Sequence, residues 1–250
     1  MQQAGLLVST RRPLSDRIFY SSAAGIILVL TFVGFQPYYL RGQGFGDRTI
    51  APEMFWWVLV HGGASSAWVA LFLAQSWLIA ARNRRLHMKL GWSAVVIAGT
   101  TAGSGVVLAV LSVRLSPNFV FWGMEYSQFL LVMLMEMFVF AGFVTVGLWF
   151  RRRPGIHRSM LLLASLSILA GATVRMPVFI PVFGDSRWPG IFGPIFALGA
   201  VLLVVRCAVT RSLDRSLAAG YAVLVVLYVA AGELALTAPW QRLAQGLLEG

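Results

Sequence analysis

Charge is scarce in this chain. Only 12% of its 250 residues are Asp, Glu, Lys or Arg, about half the share of an ordinary soluble domain. Cys207 is the one cysteine, so no disulfide can form within the chain. Lys89 is the one lysine and sits in a loop, so no span offers an amine for a retinal Schiff base, and a rhodopsin is disfavoured. Phosphate-binding Gly-Lys-Ser/Thr, the Gly-x-Ser-x-Gly elbow and His-Glu-x-x-His are all missing. What abounds is apolar: 58% of residues are hydrophobic, with a mean hydropathy of +0.78. So much apolar surface excludes disorder. The composition describes a polytopic membrane protein.

Apolar runs of about 18 residues or more mark membrane helices. Seven are expected, over residues 18–40, 55–81, 88–113, 128–150, 158–182, 191–210 and 217–239. Barrel strands would be about ten residues long and would alternate, so the fold class is all-α, a seven-helix transmembrane bundle. Residues 1–17 are read as an N-terminal arm, 18–239 as the membrane domain and 240–250 as a short tail. The arm is long and only mildly apolar, so the first span is expected to stay as an anchor rather than be cleaved as a signal peptide.

The net charge of +11 suggests nucleic acid until it is mapped. Arg11, Arg12 and Arg17 precede span one. Arg82, Arg84, Arg85 and Lys89 join spans two and three. Arg151, Arg152, Arg153 and Arg158 join spans four and five. Arg206, Arg211 and Arg215 join spans six and seven. The opposite side carries only Arg41, Arg48, Arg114, Arg187 and Arg242. The positive-inside rule then puts the N-terminus in the cytoplasm and the C-terminus in the periplasm of a bacterial inner membrane. It accounts for the charge without nucleic acid. The expected partners are the bilayer itself and anionic lipid at the basic loops. Trp56, Trp57, Tyr38, Tyr39, Trp122, Tyr126, Trp188 and Trp240 gather at the other ends of the spans, as an aromatic belt does.

Ionisable groups inside a span cost at least about 2.5–3.5 kcal/mol each at the bilayer centre and are functional candidates by default. His61, Glu136, Arg175 and Glu233 come from four helices and are expected at one depth in the outer leaflet. Trp68 and Gln75 share the His61 helix face at spacings of three and four. These six residues form the candidate ligand-binding or proton-linked site, with Arg175 paired to Glu136 or Glu233. Small residues in span two (Gly62 to Ser66) and span three (Gly99 to Gly105) predict close packing of that pair.

His87 and His157 form a second candidate. Each follows a basic turn at a helix start. Two imidazoles on facing helices can ligate haem b axially, with Arg84, Arg85 and Arg158 meeting the propionates.

The motifs His61-Gly62, Trp68, Gln75, Leu86-His87-x-x-Leu90-Gly91-Trp92, Arg152-Arg153-Pro154-x-x-His157-Arg158 and Ala172-x-x-Arg175-x-Pro177 resemble a large family of uncharacterised bacterial polytopic membrane proteins with three marked His positions. The likeness spans roughly residues 55 to 180. It implies the same membrane fold and marks His61, His87, His157 and Arg175, but carries no assigned activity. Met88 stands where that pattern has a basic residue. Paired His on helices is also similar, more loosely, to transmembrane b-type cytochromes. Three functions therefore remain open from sequence: a small-ligand or proton-linked site, a haem-b electron carrier reacting with quinone, and an accessory or assembly subunit whose ionisable groups only lock helices. Whether the protein is an enzyme stays open with them.

Overall fold

The structure is a computed structural model and describes residues 14–44, 49–185 and 187–249. Residues 1–13 of the expected arm, with Arg11 and Arg12, and Arg48 in the loop after span one, lie outside the described residues. Seven helices long and apolar enough to cross a membrane are present among the rest. They belong to α1 (Leu14–Gly34), α3 (Pro52–Ala80), α4 with α5 (Arg84–Gly91 and Ser93–Leu115), α6 (Tyr126–Trp149), α7 with α8 (Pro154–Ser167 and Ala170–Thr173), α10 (Arg187–Thr210) and α11 (Arg215–Leu234). The chain is an all-α polytopic bundle.

Local chemistry sets where these helices begin. Pro52 and Pro154 stand at the first turns of α3 and α7, where a missing N–H costs nothing. Asn83 caps α4 by accepting from the Leu86 N–H at 3.1 Å, and Asp214 caps α11 by accepting from Leu217 at 3.2 Å. Glu125 and Gln128 form a reciprocal capping box on α6. It follows a two-stranded hairpin, β1 (Val120–Phe121) and β2 (Met124–Glu125).

Two expected spans are shorter than their apolar runs. Span one stops at Gly34, and the short helix α2 (Gln36–Arg41) takes Tyr38 and Tyr39 away from it. Span five stops at Thr173, followed by a 3-10 turn at Pro177–Phe179 and α9 (Ile180–Phe183). Pro177 and Pro181 prevent a continuous helix there. The expected tail is a helix, α12 (Ala238–Glu249). It is held to the bundle by Trp240 Nε1 on the Ser127 carbonyl at 3.1 Å and Arg114 on the Leu247 carbonyl at 3.0 Å.

Span five is the axis. Of its apolar window 61% is buried inside the protein, against 17–44% for the other spans. The remaining spans leave apolar faces such as Val96, Phe138, Val204 and Val226 uncovered, which is what a helix facing hydrocarbon requires. The most extensive helix pair is α3 with α5, and Gly105 shows why. A methyl group there would fall on the Met137 sulfur and 2.9 Å from Cε1 of His61. Without it the backbones and His61 close together.

Candidate functional site

All the basic turns share one end of the bundle, called here the basic end; the hairpin and α12 lie at the far end. His61 is about 14 Å and Glu136 about 15 Å below the far ends of α3 and α6, at 1.5 Å per residue.

Span five breaks beside them. The α7 helix ends at Ser167, Ile168 and Leu169 form a turn, and α8 restarts at Ala170. In an unbroken helix the Gly171 N–H would bond the Ser167 carbonyl. Instead that carbonyl accepts from the Tyr228 hydroxyl at 3.2 Å, and the Glu136 carboxylate stands within electrostatic reach of the Gly171 backbone. The two ends of the lost helical bond thus face side chains from other spans, as irregular backbone at membrane depth requires. The Arg175 guanidinium folds back to donate to the Gly171 carbonyl and lies 4.6 Å above the Phe35 ring. A point 1.5 Å out from the Gly171 Cα, where a Cβ would stand, is 3.8 Å from Glu136 Oε1 and 4.0 Å from Arg175 Nη1. Acid and guanidinium therefore border the same glycine, within electrostatic reach of each other.

His61 approaches from α3. Its Nδ1–H donates to the Thr101 carbonyl at 3.1 Å, with the Ser104 hydroxyl 3.3 Å away. This sets the tautomer, because a carbonyl can only accept. His61 is within electrostatic reach of Arg175. Three of the four expected ionisable groups thus come from spans two, four and five to one region. Glu233 does not join them. It is exposed on α11 and accepts from Trp188 Nε1 at 2.8 Å.

Trp68 is buried on the basic side of this cluster. It donates to the Ser165 hydroxyl at 3.1 Å and meets Phe140 edge-on at 5.0 Å. Gln75 is a further two turns along the same face. Both polar atoms of its amide are shielded from water and have no hydrogen-bond partner in the protein. His157 and Arg175, expected on one continuous helix face, stand on opposite sides of the break. His157 Nδ1 bonds the Gly147 carbonyl at 2.7 Å on α6, whereas His87 rides on α4, which packs on α3 and α5. The two helices that carry these His residues are not principal neighbours.

A second polar cluster lies at the basic end, and sequence reasoning passed over it. Asp16 on α1 is bridged by Arg158 of α7 and Arg206 of α10. Arg206, only 3% exposed, is also held by Asp214 at 3.2 Å. Phe19 and Tyr20 lie against the Arg206 guanidinium at 5.5 Å, and Arg158 stands 5.1 Å from the Tyr20 ring. The signal was present: Asp16 is the one acid in the basic stretch before span one, and Arg206 stands inside an apolar helix. In the sequence reading Arg206 counts only as loop charge, and Asp16 is not singled out.

Span five links the two clusters by a series of buried hydroxyls. Ser159 meets Tyr20 at 3.3 Å, Ser165 meets Trp68, and Ser167 meets Tyr228 through its carbonyl. Two surface grooves lie elsewhere, one lined by Tyr38, Tyr39 and Phe55 at the far end and one by Arg17 and Trp77 at the basic end. No protein-family model, curated protein or solved structure matches this chain.

Proposed function

We propose that this integral membrane protein handles protons at Glu136, with Arg175 as its counter-charge and His61 as a neighbouring group able to titrate. The observation that carries the reading is the meeting of a carboxylate and a guanidinium at the break in span five. A carboxylate beside the backbone of a helix break couples its own protonation to the geometry of that break. Packing on the His61 side favours a proton over an organic ligand, because there is no room at Gly105 between Met137 and His61 even for a methyl group. Glu136, His61 and Arg175 are nonetheless only partly buried by the protein itself.

In this reading the basic end faces the cytoplasm of a bacterial inner membrane, and the basic turns meet anionic headgroups. The test is an infrared difference spectrum of the full chain in liposomes between acid and alkaline pH. A protonated-carboxyl band that disappears in Glu136→Gln is expected. A band unchanged by that substitution overturns the assignment, and a protein that shows no carboxyl change at all belongs to the accessory, helix-locking reading.

A haem-b reading of His87 and His157 keeps one supporting observation. The bond from His157 Nδ1 to the Gly147 carbonyl is of the kind that orients a ligating imidazole. An absorption spectrum after expression with haem supplied decides it, because bis-imidazole haem gives a Soret band and its absence ends the reading.

A further inference from the structure

We propose that the groove between spans one and two at the basic end seats the phosphate headgroup of an anionic phospholipid, with Arg17 as its anchor. The groove has a volume of about 290 Å³ and is lined by Arg17, Ile18, Ser21, Ser22, Trp77 and Ala80. It sits where α1 begins and α3 ends, beside the exposed turn that carries Arg82, Arg84 and Arg85.

Charge accounting picks out Arg17 from its neighbours. Asp16, next in sequence, is already shared between Arg158 and Arg206. Arg206 has a second acid in Asp214. Among the described residues Arg17 has only the Ala80 carbonyl, at a long 3.5 Å. Its Nε and the Ser21 hydroxyl are shielded and have no hydrogen-bond partner. A guanidinium at headgroup depth without a carboxylate is satisfied by an oxyanion, and its planar fork matches a phosphate's oxygens.

The groove walls say which oxyanion. Ile18 and Trp77 are 58% and 64% exposed on the side that faces hydrocarbon, so the site opens along an acyl chain rather than into water. A Trp at this level is an interfacial anchor. No acid lines the groove, so no carboxylate there would neutralise the ammonium of a zwitterionic headgroup, whereas the serine hydroxyls suit a glycerol one. The site therefore prefers phosphatidylglycerol to phosphatidylcholine. The inference is independent of the proton-linked reading of Glu136.

The experiment is native mass spectrometry of the full chain released from nanodiscs made of equal phosphatidylglycerol and phosphatidylcholine. One retained phosphatidylglycerol per chain is expected. Arg17→Gln is expected to lower that retention about tenfold, the scale of a hydrogen bond to a charged group. Ser22→Trp fills the groove from its exposed side without touching any charge, and is expected to lower retention equally. That variant also carries the test if Arg17→Gln does not fold. Arg84→Gln, on the exposed turn, should stay within about twofold, as a screened surface contact. Equal losses from Arg17→Gln and Arg84→Gln would reduce the site to general attraction by basic loops. Full retention in Ser22→Trp, or phosphatidylcholine held as well as phosphatidylglycerol, would overturn it outright.

Discussion

At the basic end, two acids and two arginines pair with one another among the described residues: Asp16 between Arg158 and Arg206, and Asp214 on the other side of Arg206. Beside the break in span five, Glu136 stands within electrostatic reach of the Gly171 backbone and Arg175, and His61 stands by on a carbonyl of its own. The first cluster joins the ends of regular helical segments from spans one, five, six and seven, and on span five it lies well before the break. The second sits on a helix that has come apart. The contrast separates two uses of buried charge. Where every ion has a fixed partner and the helices are regular, the ions hold spans in register. Where an acid stands beside an opened helical hydrogen bond, protonation and backbone geometry depend on each other.

The sharpest way to break this comparison is to remove the shared acid. Asp16→Ala leaves Arg158 without its carboxylate and Arg206 with Asp214 alone. It is expected to cost about 3–5 kcal/mol of stability, read as a lowered unfolding midpoint of the full chain in detergent. A loss below about 1 kcal/mol would mean that the basic-end set is not a lock. Glu136→Ala should cost less, about 1–3 kcal/mol, since it leaves the Gly171 backbone and one partly accessible guanidinium without their neighbouring carboxylate. If its cost equals or exceeds that of Asp16→Ala, the two clusters do the same job and the contrast fails.

Packing around the second cluster can be sharpened at glycine. Gly105→Ala forces a methyl group toward Met137 and His61 and is expected to destabilise by about 1–3 kcal/mol. Gly103 has nothing within 4 Å of a Cβ position, so Gly103→Ala should be neutral or gain up to about 1 kcal/mol from helix propensity. Thermal midpoints of the two variants side by side check this. The smallest effect belongs to Glu233, which bonds only Trp188 at the surface. Glu233→Gln should change stability by less than about 0.5 kcal/mol and leave the infrared carboxyl band of Glu136 in place.

Much of the candidate site was legible, and the parts that were not share a cause. His61, Glu136 and Arg175 could be singled out because a charge in an apolar run is costly wherever the helix points. Glu233 met the same criterion, yet it faces outward to Trp188. Hydropathy reports depth along a helix but not rotation about it, and only rotation decides which residues meet. Arg206 and Asp16 were hidden for the converse reason. At a span end, positive charge has a sufficient explanation in membrane topology, so nothing in the pattern asks for a partner.

Composition and run length alone determined a seven-helix bundle, because a bilayer accepts backbone only as helices of about 20 apolar residues and the arginines between them repel neither water nor headgroups. The break at Ile168 and Leu169 was beyond their reach. That segment, Ser-Ile-Leu-Ala-Gly-Ala-Thr, has no proline and reads as ordinary helix. Where it opens, Tyr228 bonds the freed Ser167 carbonyl and Glu136 stands by the Gly171 backbone, from 61 and 35 residues away along the chain. Such long-range contact exists only once the spans have packed, and the candidate chemistry of this protein depends on it.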